Sequence, residues 1–158
     1  MYETLLEEAA KEQIEIAYLP LKDRLKGLYG DNVIAINSNI NTTAEKACIL
    51  AEELGHYHTT VGDILDQTKL NNKKQEKRAH VWAYKRLVPL DKLISAYEAR
   101  VMNRFELAEY LGVTEDFLNK AIDYYKEKYG LYYRIRDYFI CFEPLMIIEA
   151  FNDKKFLP

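Results

Sequence analysis

Apolar residues recur at helical spacing in "YETLLEEAAKEQIEIAYLP". Leu5, Ala9, Ile14 and Tyr18 are separated by acidic and polar residues, which predicts one amphipathic helix closed or bent at Pro20. The periodicity then changes. "NVIAIN" is β-branched and apolar and predicts a strand over residues 33–36, paired with Leu28 and Tyr29 in a short hairpin, with Gly27, Gly30, Asp31 and Asn32 as turn residues. "TTAEKACILAEELGHYH" restores the helical period. Thr42 to Glu45 has capping-box form, in which hydroxyl and carboxylate each cover a free backbone N–H, and Ala47, Leu50, Ala51 and Leu54 supply the apolar stripe. The polar stretch that follows carries turn signals at Gly62 and at Asn71-Asn72, and "EKRAHVWAYKRLVP" predicts a further helix ending near Pro89.

Beyond Pro89 the texture shifts to shorter elements. "LDKLISAYEARVM" and "RFELAEYLG" predict two short helices, and "VTEDFLNKAIDYYKEKYG" a third that starts near Thr114 and stops at Gly130. "LYYRIRDYFICFEP" alternates around Arg136-Asp137 as a β-hairpin does, and "LMIIEAF" closes the chain. The pattern is that of a mainly helical α+β protein with a boundary near residue 90: a core over 1–90 holding a short β-hairpin, then a helical part over 91–158 with a helix-turn-helix-like segment and a terminal hairpin.

Composition narrows the class. The chain has 158 residues, 49% hydrophobic and 30% charged, enough to bury a core and unlike a disordered chain. A net charge of -3 supplies no global field for nucleic acid. No secretory leader opens the sequence and no apolar run reaches the roughly 20 residues of a membrane span. Cys48 and Cys141 stand far apart and are expected to be buried, reduced thiols. The expectation is a soluble cytoplasmic protein with no membrane partner.

The chemistry gathers in "AEELGHYH". Residues four apart share a helix face, so Glu52 and His56 point together and Glu53 lies one step round. The arrangement is one letter from the zinc-peptidase pattern H-E-x-x-H, whose Glu moves the proton of the attacking water. A catalytic zinc needs three protein ligands and an open position, for which Glu76, His80, Asp63 and His58 are further candidates. The alternative is a solvated acidic face with His56 and His58 at a fraying helix end. Two carboxylates and one imidazole would suit Mn2+ or Fe2+ nearly as well as Zn2+, and would leave a bound water less acidic than a His-rich site does. Gly55, costly inside a helix, marks close packing, expected here against the first helix.

Three segments resemble the ImmA/IrrE family of metallopeptidases: "CILAEELGHYHTT", similar to its H-E-L-x-H helix; "EKRAHVWAYKRLVP", similar to its E-x-x-A helix; and "FELAEYLGVTEDFLNKAI". The hairpin "LKGLYGDNVIAINSNI" also fits, so the likeness spans roughly residues 25 to 125. The resemblance implies a zincin-like core and a zinc site in which His56 and Glu76 are ligands and Glu53 is the general base. Glu52 stands where the family has its first histidine and would be the remaining ligand. His80 fills a position that usually carries Asn, which favours a hydrogen bond to a ligand. His58 would enter only if the helix ended at Tyr57. Tyr57 and Trp82 are expected as core or pocket-wall aromatics.

The implied activity is a zinc-dependent endopeptidase cutting a regulatory protein such as a helix-turn-helix repressor of a phage or mobile element, with the strand at 33–36 aligning an extended substrate by edge pairing. A non-catalytic binding module for a repressor or toxin is the second reading. The third is DNA binding through residues 100–142, with Arg134 and Arg136 on a wing. Glu115 and Asp116 argue against it, because they put negative charge at the end of the helix that would meet base edges.

Overall fold

The first helix stops earlier than its apolar spacing predicts. In the computed structural model, which describes residues 1–22, 24–60 and 69–150 (side chains of 69–71 excepted), α1 spans Tyr2–Lys11. Gln13 turns the chain at φ 59°, and Glu15–Leu19 forms strand β1. The single helix expected up to Pro20 is therefore a helix and a strand. "IEIAYL" carries both periods: Ile14 and Tyr18 are four apart, but Ile14, Ile16 and Tyr18 also alternate. The strand prevails because β1 finds a parallel partner in β3 (Val33–Asn37), with Ile16 opposite Ile34 and Tyr18 opposite Ile36.

The predicted hairpin is present. β2 (Gly27–Gly30) runs antiparallel to β3, with Leu28 opposite Ala35 and Tyr29 opposite Ile34. Only Asp31 and Asn32 form its turn, both at positive φ (50° and 60°), as a two-residue loop whose twist matches the strands requires. Gly27 and Gly30 belong to the strand rather than to a turn. The sheet order is β1-β3-β2, which makes β3 the central strand and β2 an edge.

Against this sheet lies α2 (Thr43–Thr60). The Thr42 hydroxyl accepts from the Glu45 backbone N–H at 3.2 Å, while the Glu45 carboxylate pairs with Lys26 at 2.8 Å instead of closing the expected reciprocal box. Ala47, Leu50, Ala51 and Leu54 are fully buried, as their spacing predicts. α3 (Lys69–Leu87) packs on α2 and starts before the expected Asn71-Asn72 turn, both of whose residues are helical. Gly62 and Asp63 lie outside the described residues.

The second half follows its sequence signals closely. α4 is Leu90–Glu98, α5 is Arg104–Leu111, and α6 is Glu115–Tyr129 between an N-capping Thr114 and Gly130. Gly112, at φ 71°, takes the left-handed position that ends α5. β4 (Tyr132–Ile135), β5 (Tyr138–Phe142) and β6 (Leu145–Glu149) form an antiparallel sheet in that order. One cluster of buried side chains runs from Leu5 and Ile34 through Leu50, Leu54 and Leu87 to Leu118, Ile122 and Phe142, across both sides of residue 90. Tyr125 ties α6 to the α3–α4 junction by donating its hydroxyl to the Val88 carbonyl at 2.9 Å. Cys48 and Cys141 are buried and free, and among the described residues no helix is long and apolar enough to cross a membrane.

Candidate active site

The site begins with a backbone contact. A Cβ on Gly55 would lie 2.4 Å from the Ala79 carbonyl oxygen and 3.0 Å from its Cα. Only a residue without a side chain lets α2 and α3 come this close. The close packing foreseen at Gly55 is thus with α3, not with the first helix. Positions 52 and 56 flank this contact on α2, and 76 and 80 flank it on α3. Each pair is four residues apart and shares a helix face.

Across the two helices these side chains meet in crossed order. His56 Nε2 lies 3.5 Å from Glu76 Oε2. His80 Nε2 lies 3.5 Å from that same oxygen. The other ring nitrogen of His80, Nδ1, faces Glu52 Oε1 at 3.9 Å. Glu52, His56 and His80 are about one-fifth to two-fifths exposed and Glu76 more so, which leaves the cluster half-buried with one open side. Among the described residues, no three His, Cys, Asp or Glu side chains are drawn together as closely as a bound ion would hold them.

Glu53 sits beside this cluster, under β2. A Cβ on Gly27 would come within 2.8 Å of Glu53 Oε1 and 2.6 Å of Ile49 Cγ2, so the edge strand presses directly on the carboxylate. Burial, and secondarily the negative charges of Glu52 and Glu76, push the Glu53 carboxyl up to about 7, against a smaller opposing contribution from the Tyr29 backbone N–H that donates to it. Burial also raises Glu52, with His80 acting the other way. A carboxyl that exchanges its proton near neutrality is suited to general acid–base work.

Sequence reasoning missed the part played by Gly27 and β2. Its signal was a glycine inside an otherwise extended stretch, which marks close approach as often as a turn. The strand expected to pair with substrate, 33–36, is central and has both edges occupied, so that expectation fails. The free edge next to Glu53 is β2.

The remaining candidates separate. α2 continues to Thr60, with the Thr59 hydroxyl bonded back to the Gly55 carbonyl at 2.7 Å, so His58 stays on another face. Its ring stacks on Trp82 with centroids 4.7 Å apart, and its Nε2 faces Glu8 at 3.8 Å. Tyr57 donates to Glu12 at 3.1 Å and packs edge-on against Tyr29. A groove of about 420 Å³ runs from Glu76 and His80 past Tyr84 to Lys120 and Tyr124 of α6. On the β4–β5 hairpin, where a DNA-binding wing was expected, Arg136 is paired with Asp91, and Arg134 lies over the Phe139 ring.

Compared with known proteins, residues 9–123 match the family model described as the IrrE N-terminal-like domain, a peptidase family. None of the curated proteins matches the chain.

Proposed function

The chain belongs to the IrrE N-terminal-like family of metallopeptidases, and from that premise we propose that it is a metal-dependent endopeptidase with a zincin-like core, acting in the cytoplasm on a regulatory protein such as a helix-turn-helix repressor. The observation that carries the reading is Glu53. It is a half-buried carboxyl held near neutrality beneath an edge strand, next to a cluster of two imidazoles and two further carboxylates.

The donor types fit a divalent ion. Burial first, and then the negative charges of Glu52 and Glu76, raise the Glu53 carboxyl, and a cation would offset that gathered charge. His56 and Glu76 would hold zinc, with a third donor from the facing pair Glu52 and His80, and Mn2+ or Fe2+ would be accommodated if both carboxylates bind. When bound, the metal supplies Lewis-acid polarisation of the scissile carbonyl and acidification of the attacking water.

The rest is the work of this chain's own residues. Glu53 takes a proton from the water and returns it to the departing amide nitrogen. β2 is an edge strand whose Tyr29 backbone N–H now donates to Glu53, so an extended substrate segment can add beside it and compete for that donor next to the carboxylate. The groove toward α6 supplies Tyr84, Tyr124 and Lys120 for side chains on one flank. An extended segment fits this edge and a helix does not, so cleavage is expected in a loop or linker of the substrate.

The second reading is a metal-free binding module with the same fold. One observation favours it, the looseness of the donor cluster among the described residues. Incubation of the purified chain with zinc and a purified helix-turn-helix repressor, followed by mass spectrometry, separates the two. The peptidase yields defined fragments with wild type and none with Glu53→Gln. Binding without fragments in both proteins supports the module.

A further inference from the structure

On the reading that α2 and α3 hold a metal, we propose that His80, not Glu52, is its third protein ligand, and that Glu52 is a positioning residue behind the His80 ring. The geometry discriminates between the two. His56 Nε2 and His80 Nε2 each lie 3.5 Å from one oxygen, Glu76 Oε2, so a single carboxylate oxygen has an imidazole nitrogen from each helix beside it. Glu52 lies on the far side of the ring, with Oε1 toward Nδ1 at 3.9 Å. A cation on Nε2 would leave the ring's one proton on Nδ1, the side on which Glu52 stands. The carboxylate–imidazole–metal arrangement is the usual support of a ligating histidine, and it would keep Glu52 on the Nδ1 side of the ring, off the ion, with the present 3.9 Å gap closing to a hydrogen bond.

The assignment also changes the chemistry. Two imidazoles and one carboxylate form a less anionic set than two carboxylates and one imidazole. That favours zinc over harder ions and leaves one position open for water. The nitrogen donor that α2 lacks at position 52 comes from α3, brought within reach by the Gly55–Ala79 backbone contact.

Zinc titration of the full chain tests this with readouts independent of peptidase activity. The variants are His56→Gln, His80→Gln and Glu52→Gln, with thermal melts of each metal-free protein to check folding. Glu52→Gln is expected to lower zinc affinity by roughly 10–100-fold, the range for losing a carboxylate behind a ligating ring. His80→Gln lowers it further, to the level of His56→Gln. Imidazole 15N NMR of the zinc-loaded wild type shows His80 metal-bound at Nε2 and protonated at Nδ1. The assignment is overturned if His80→Gln binds zinc as wild type does while Glu52→Gln loses it, an outcome that leaves the peptidase reading intact. Wild type that binds no zinc, yet is folded, removes both.

Discussion

On the α2–α3 face, Glu76 meets two imidazoles and Glu52 meets one, while Glu53 is pressed under a strand. Across the α3–α6 surface and the second sheet, acids meet lysines and arginines instead: Asp116 with Lys120 at 2.7 Å, Glu127 with Lys77 at 3.3 Å, Glu143 with Lys126, and Asp91 with Arg136. The second set is exposed and neutral pair by pair. Such pairs contribute little to stability, because solvent screens them and two long side chains must be ordered. The first set leaves negative charge unneutralised in a half-buried place, an arrangement that costs stability and that a cation would reverse. The same residue types therefore form solvated ion pairs on one surface and a half-buried, acid-rich cluster on the other, and partner and burial decide which.

The sharpest break in that contrast is Glu53→Gln. Loss of a positioned general base typically removes about 10²–10⁴-fold of rate, and fragment yield from a repressor substrate at fixed time should fall accordingly. The variant should still bind zinc, which separates loss of the proton carrier from loss of the site.

Next is the contact that makes the site. Gly55→Ala puts a methyl group 2.4 Å from a backbone oxygen that has no flexible end to yield. We expect α2 and α3 to be forced apart at a cost of roughly 2–4 kcal/mol, read from the denaturant midpoint, with weakened zinc binding. An unchanged midpoint would show that the helices are not held at this distance.

A smaller effect concerns pH. An acid raised from 4.5 to about 7 on folding binds its proton more tightly in the folded state. Glu53 therefore contributes full stability below about pH 4.5, and that contribution is lost as pH rises through about 7. For the metal-free protein the slope should amount to on the order of 1–3 kcal/mol across this window. Glu52, also raised by burial, adds to it in the same direction. Chemical denaturation at several pH values should show the slope in wild type, less of it in Glu53→Gln, and little once zinc is bound. The smallest effect belongs to the other surface: Lys120→Ala should change stability by no more than about 0.5 kcal/mol, since its partner Asp116 is exposed and four residues away on the same helix.

Much of the fold was legible because its signals are local. Thr42, Thr114, Gly130 and the Arg136-Asp137 turn fix element ends by backbone hydrogen bonding and conformation that act within a few residues. β1 was not legible, because "IEIAYL" satisfies both periods and its partner β3 lies beyond an intervening strand. The Asn71-Asn72 pair misled for a related reason: asparagine disfavours a helix interior by well under 1 kcal/mol, which packing of α3 on α2 outweighs. The site was half legible. The four-residue spacings of 52 with 56 and 76 with 80 follow from sequence, but their meeting rests on the Gly55–Ala79 approach, and a glycine alone does not name its neighbour. The likeness to a peptidase family pointed to Glu53, His56 and Glu76, while the way His80 stands between Glu52 and Glu76 needed coordinates.

The most direct measurement is zinc stoichiometry by calorimetric titration of wild type beside the double variant His56→Gln, Glu76→Gln. If the α2–α3 cluster is a metal centre, wild type takes up one ion per chain and the double variant, still folded by its melting curve, takes up none. Folded wild type that binds no zinc, or a double variant that binds it as tightly as wild type, contradicts the account.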